Sequence, residues 1–153
     1  MANQVELQLI QPLFDIFQRE RFVTLSTVDY ESGGPNVNAI SWVFAPDKKR
    51  IYVAVDNRSR IVKNILKNPS VVLNVTAFES NYSISGRASI KAEKMEDVPL
   101  KLALIEIFIN EVRDVMFYGS KISVEPQYEK TYDVTAAEKL DKQVLDAMKR
   151  YNV

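Results

Sequence analysis

Residues 50–75, RIYVAVDNRSRIVKNILKNPSVVLNV, restrict the architecture more than any other part of the chain. A β-type run (51–55) enters a polar turn made of Asp56, Asn57, Arg58, Ser59 and Arg60. A short helix (61–67) follows, Asn68 and Pro69 stop it, and a second β-run (71–76) leaves. Arg58, Ser59 and Arg60 are therefore expected at a helix N-terminus. Unpaired backbone N–H groups and the helix dipole favour an anion such as phosphate there. The same residues read equally well as an ordinary N-cap serine flanked by two solvated arginines, so both readings stay open on local chemistry.

A second constraint is an absence. The chain has no Cys and no His. That excludes a Ser-His-Asp triad, a histidine base poised near neutral pH, a thiolate nucleophile, a disulfide and His- or Cys-based metal centres. Chemistry performed by such a chain is expected to come from a bound organic cofactor. No metal site is expected: Glu93, Glu96 and Asp97 read as an exposed strand end and a helix cap.

The 153 residues suit one domain, 1–153, with a sizeable core. Twenty basic residues balance twenty acidic ones, which argues against a broad attraction to nucleic acid or to an anionic membrane. No apolar run approaches the length that spans a bilayer, and no secretory pattern opens the chain, so a cytoplasmic location is expected.

A short helix from Pro12 to about Arg19 is expected first. Three β-rich runs follow, 22–29, 36–44 and 50–55, with turns at 32–35 and 45–47 and a solvated tip at 47–50. Strands resume at 71–77 and 82–94, with Gly86 expected at a bulge or bend. Residues 97–117 read as a helix, with Pro99 in the first turn and Gly119 as the stop. Its apolar residues lie on most sides, which implies burial on two faces, either within the domain or against a partner chain. A strand is expected near 127–134, and a last helix over 136–151 opened by a Thr135/Glu138 capping box, with Leu140, Val144, Leu145 and Met148 on one stripe. The fold class is mainly β with flanking helices: an antiparallel barrel of five or six strands, joined as a meander through short loops.

The segments RFVTLSTVD with its Gly-Pro turn, NVNAISWVF, IYVAVDNRSRIVKNILKNPSVVLNV and YSISGRASI, in this order, resemble the pyridoxamine 5'-phosphate oxidase-like family, the FMN-binding split barrels. The resemblance implies FMN as cofactor, with Asn38, Ala39, Ile40 and Ser41 lining the isoalloxazine and Tyr52, Val53 and Ala54 running beside it. It implies that Ser59 and Arg60 hold the phosphate, with Arg58 and Lys63 close by, and that the cleft lies between the subunits of a homodimer. Two positions depart from the family pattern. The lysine of its Ser-x-Lys turn is Ile61 here, and a hydroxyl at the end of the preceding strand is Val55. The resemblance does not extend to the C-terminal segment that vitamin-forming members use on substrate, so that reaction is not expected.

Trp42 lies on the flavin strand of the resemblance but reads more simply as core. Phe78 and Tyr82 read either as loop aromatics folded on the barrel end or as neighbours of a partner subunit. The function implied is an FMN-dependent oxidoreductase of unassigned substrate. The alternatives are a flavin binder without turnover and a cofactor-less homodimeric interaction module, to which Ile61 and Val55 lend support.

Overall fold

The computed structural model describes residues 5–151. The strands are β1 (Val5–Glu6), β2 (Val23–Val28), β3 (Pro35–Ile40), β4 (Val43–Asp47), β5 (Arg50–Asp56), β6 (Ser70–Ala77), β7 (Ser80–Ala92) and β8 (Leu102–Asp114). The helices are α1 (Gln11–Ile16), α2 (Arg60–Lys67) and α3 (Val134–Arg150). Every ladder is antiparallel, and the strands follow the order β3-β2-β6-β7-β8-β5-β4, with β1 on β8. No ladder joins β3 to β4 among the described residues, and this gap splits the barrel. The fold is an antiparallel split barrel.

The sheet has eight strands rather than five or six, and it is not a plain meander. Chain leaving β5 passes through α2 and enters β6, which pairs with β2 instead of β5. Hence α2 packs against β2 and β7, and its own Ile61 and Ile65 join the barrel core.

Two apolar cores hold the sheet. Leu25, Val53, Leu73, Ile84, Ile105 and Ile107 fill the barrel, joined by Leu13 and Phe17 from α1 and its C-terminal end, all fully buried. On the opposite face, Phe44, Tyr52, Ala54 and Leu104 pack against Val144, Ala147 and Met148 of α3. Each of the Val, Leu, Ile, Phe and Met side chains among them stabilises the fold by about 1.5–3 kcal/mol relative to exposure.

The helix expected over 97–117 is a strand, β8. Its apolar residues feed two cores by alternation: Ile105, Ile107 and Ile109 enter the barrel, while Leu102 and Leu104 lie under α3. Apolar residues on both faces hide the period of two, and the β-branched run suits the pleat better than a helix. Over its first half both faces are covered within one chain, whereas Phe108 is 47% exposed, so most of this segment needs no partner to bury it. The strand expected near 127–134 is irregular chain; α3 begins at Val134, and its N-cap is Asp133, whose side chain accepts from Thr135 N, rather than Thr135.

The expected strand 36–44 is two strands, broken at Ser41 and Trp42. Residues Ala45, Pro46 and Asp47 belong to β4, with a register shift between Phe44 and Asp47, and the turn is Lys48–Lys49. Gly86 does sit at a register shift. A Cβ there would run into the Phe108 carbonyl and lie 2.9 Å from Ile107 Cγ2, so only glycine admits the approach of β8.

Irregular chain over 115–133 returns from β8 to α3 and is tied down by ion pairs. Arg21 meets Glu125 at 2.8 Å, and Lys130 meets Asp141 at 2.7 Å and Glu20 at 3.2 Å. Desolvation alone would lower the Lys130 pKa, but Asp141 and Glu20 together raise it.

Candidate functional site at the amino end of the short helix

The turn between β5 and α2 is built by Asp56. Its side chain accepts from Arg58 N at 2.8 Å and its carbonyl from Ser59 N at 3.0 Å, which bends the chain into the helix. Asn57 fastens the turn to the β7–β8 connection: its N–H reaches the Lys101 carbonyl at 3.0 Å and its Nδ2 the Glu93 carbonyl at 3.2 Å. Ser59 takes the N-cap position with extended backbone, yet its side chain caps no N–H. Its Oγ is buried and has no hydrogen-bond partner. A buried hydroxyl beside first-turn N–H groups that no side chain caps presents several donors to one acceptor.

One flank of α2 is stitched to the β2–β3 connection by side chains at successive helical turns. Arg60 Nη1 donates to Asp29 Oδ1 at 2.6 Å and lies 3.5 Å from Glu31 Oε1. Asn64, wholly buried, accepts from Tyr30 N at 2.8 Å and donates to Thr27 Oγ1 and Asn36 Oδ1, both at 2.9 Å. Lys67 Nζ donates to the Tyr30 carbonyl at 2.9 Å. Arg60 and Lys63 also lie over the Tyr30 ring, 5.0 and 5.8 Å from its centre. The N–H of Ser32, then the Arg60 guanidinium, then the Glu31 N–H hold the Asp29 carboxyl down at about 2 against desolvation. Arg60 is correspondingly pushed further up by Asp29. Arg60 is thus already paired within the chain, while Arg58 is 81% exposed beside Asp56.

Beyond this flank, β3 lies open. Asn36, Asn38 and Ile40 stand opposite Thr27, Leu25 and Val23 and so share the inner face of the barrel. Because β3 borders the split, neither of its faces is covered: Asn38 is exposed and Ile40 half-buried on the inner face, Ala39 is exposed on the outer face with Val37, and half-buried Ser41 follows the strand. The Asn36–Asn64 hydrogen bond joins this uncharged shelf to α2. Asn38 and Ile40 therefore share the face of β3 whose Asn36 is hydrogen-bonded to α2, the helix that carries Arg60 and Lys63 with Ser59 at its N-cap, whereas Ala39 turns to the other face. Tyr52, Val53 and Ala54 do not offer side-chain surface there. Val53 points into the barrel, Tyr52 and Ala54 point under α3, and none is more than 3% exposed.

Arg58 faces another way. With Trp42, Asp56, Pro99, Leu100, Lys101 and Leu102 it lines an open cavity of about 430 Å³. Trp42 is half-buried against the α3 core, and its Nε1 donates to Asp141 Oδ1 at 2.8 Å. Phe78 and Glu79 form the two-residue tip of the β6–β7 hairpin, both at positive φ (53° and 63°), and Tyr82 lies within β7. Asp97 faces Arg150 at 3.6 Å. Sequence reasoning missed Asp29 and Asn64. The available signal was an asparagine, a poor helix former, on the same helix face as Ile61 and Ile65.

The pyridoxamine 5'-phosphate oxidase family profile matches residues 10–120, which spans β2 to β8 and the whole of this site. The chain belongs to that family. It is a family of flavin-binding oxidoreductases. A candidate pyridoxamine 5'-phosphate oxidase from Lactobacillus delbrueckii superposes with a TM-score of 0.61 at 17% identity, covering 73% of this chain and 98% of the other. HupZ from Group A Streptococcus gives 0.59 at 15% identity, over 76% and 99%. General Stress Protein 26 from Bacillus anthracis gives 0.52 at 22% identity, over 64% and 86%. At these identities the solved structures show a shared fold. No curated protein matches the chain in sequence.

The residues at the amino end of α2 fit the phosphate end of a flavin through one orphan hydroxyl, the uncapped N–H groups and guanidinium groups nearby. They fit it without the family's lysine, since Ile61 is 5% exposed and part of the core. Among the described residues, no helix is long and apolar enough to cross a membrane.

Proposed function

We propose that this chain is a flavin-dependent oxidoreductase that takes FMN, acts as a cytoplasmic homodimer of single-domain subunits, and uses a small-molecule substrate. The observation that carries the reading is the buried Ser59 Oγ without a partner at the N-cap of α2. A bound flavin supplies the redox chemistry, which a chain without Cys or His does not otherwise contain.

In this reading Ser59 and the first-turn N–H groups of α2 hold the phosphate, with Arg60 and Lys63 adding positive potential. Asn38 and Ile40 offer the ring an uncharged shelf through their side chains and Ala39 and Ser41 through their backbone, and these amide and backbone groups orient its polar edge. Tyr52, Val53 and Ala54 support the site from within the two cores. The shelf is open on one side, with Val37 62% exposed on the other face of the same edge strand, and a second copy would exclude water from the ring.

The test is the flavin content of the purified native protein, read from its visible absorbance, followed by FMN titration of wild type and Ser59→Ala by fluorescence quenching. Ser59→Ala is expected to weaken FMN by about fivefold or more, the effect of one hydrogen bond. Reduction of the bound flavin by NADH or NADPH separates an oxidoreductase from a flavin carrier. Sedimentation velocity at micromolar protein tests the dimer, and a stable monomer there would remove the shared cleft. A cofactor-less interaction module is the second reading. Burial of Ile61 and the pairing of Arg60 with Asp29 favour it, and a colourless protein indifferent to FMN would establish it.

A further inference from the structure

Asp29 does two separable things. Its Oδ2 accepts the N–H groups of Glu31 at 3.1 Å and Ser32 at 2.9 Å, which shapes the β2–β3 connection. That role needs only an oxygen. Its Oδ1 takes Arg60 Nη1 at 2.6 Å, and this role needs the negative charge. The carboxylate is 8% exposed at the side chain, whereas Arg60 is 51% exposed, so the acid is the fixed member of the pair.

The surroundings offer little to replace Arg60. Asp29, Glu31 and Asp56 match Arg58, Arg60 and Lys63 in number around the first turn of α2. Val55 and Ile61 are both buried and carry no charge. A phosphate that recruited Arg60 would leave the Asp29 carboxylate enclosed, without its cation and beside a second anion, which is a costly arrangement. If Arg60 stays with Asp29, the phosphate keeps Ser59, backbone N–H groups and a solvent-screened Lys63, since Arg58 faces another way.

We propose that Asp29 is a specificity-determining residue of this site: by holding Arg60, it keeps the phosphate contribution small, so the chain scarcely distinguishes FMN from phosphate-free riboflavin. The proposal rests on the flavin reading above. Asp29→Asn keeps an oxygen for the two N–H groups and removes the charge, so it releases Arg60 with the connection intact. Arg60→Ala in the Asp29→Asn background removes the released group again.

The experiment titrates wild type, Asp29→Asn and the double variant with FMN and with riboflavin by fluorescence quenching. In parallel, inorganic phosphate is titrated while the backbone amide resonances of α2 are followed by NMR. Wild type should prefer FMN over riboflavin by less than about tenfold, and Asp29→Asn should raise that preference by about tenfold, as a charged hydrogen bond does. The double variant should return it to the wild-type ratio. A wild-type preference of about a hundredfold, or an equal preference in wild type and Asp29→Asn, overturns the assignment. If no flavin binds while Asp29→Asn still tightens phosphate at α2, the role of Asp29 stands and the flavin reading falls. If phosphate binding is also unchanged, both fall.

Discussion

Asn64→Ala should be among the most damaging single changes outside the apolar cores, because one side chain closes three contacts between α2 and the β2–β3 connection. A neutral hydrogen bond contributes about 1 kcal/mol net, so three give about 3. Thr27, 3% exposed, is left with a dry hydroxyl, which adds about 1 kcal/mol. Alanine regains roughly 0.5 kcal/mol through better helix propensity. The expected net loss is therefore about 3.5 kcal/mol. With a slope of about 2 kcal/mol per molar urea, the unfolding midpoint falls by about 1.75 M. Urea denaturation followed by circular dichroism measures this, and hydrogen exchange at the Tyr30 amide localises it. Asn64→Asp provides a control. It keeps the acceptor for Tyr30 N, and burial raises the introduced carboxyl's pKa, so the variant should lose less stability near pH 4 than near pH 7. A loss below about 1 kcal/mol in Asn64→Ala, or an unchanged Tyr30 exchange rate, would refute the view that this side chain positions α2.

Gly86→Ala should cost about 2 kcal/mol or more, since the added methyl meets the Phe108 carbonyl and the β7–β8 ladder must shift; a thermal melt reads the effect. Trp42→Phe removes the donor to Asp141, which keeps Lys130, so a loss of about 1.5 kcal/mol is expected in a chemical melt. Trp42 is also the chain's one tryptophan, and Asp141→Ala should shift its emission to the red as α3 loosens. The Asp29 carboxyl, held at about 2 against the ordinary 3.8, contributes stability that is fully present above pH 4 and is lost as pH falls from about 4 to 2. Asp29→Asn should remove that part of the acid dependence, which a pH series of urea midpoints would show.

Much of the fold was legible where a local rule has one outcome. Asn68-Pro69 ends α2 because the backbone before a proline is driven out of the helical region. Gly86 marks a bulge because nothing larger fits, and Ile61 and Ile65, one turn apart, had to face an interior. The polar turn of 56–60 was legible in the same way, as Asp, Asn and Ser residues opening a helix. Two features needed the tertiary structure. Residues 102–109 are apolar on both faces but for Glu106, and a helix and a doubly covered strand then share one composition; the presence of the barrel on one side and α3 on the other over residues 102–105 selects the strand. The partner of Arg60 lies 31 positions away on the β2–β3 connection. Sequence places a cation at the amino end of α2, but the long-range approach of Asp29 decides how much of its charge a ligand can use, because a Coulombic pair depends on distance in space and not on separation along the chain.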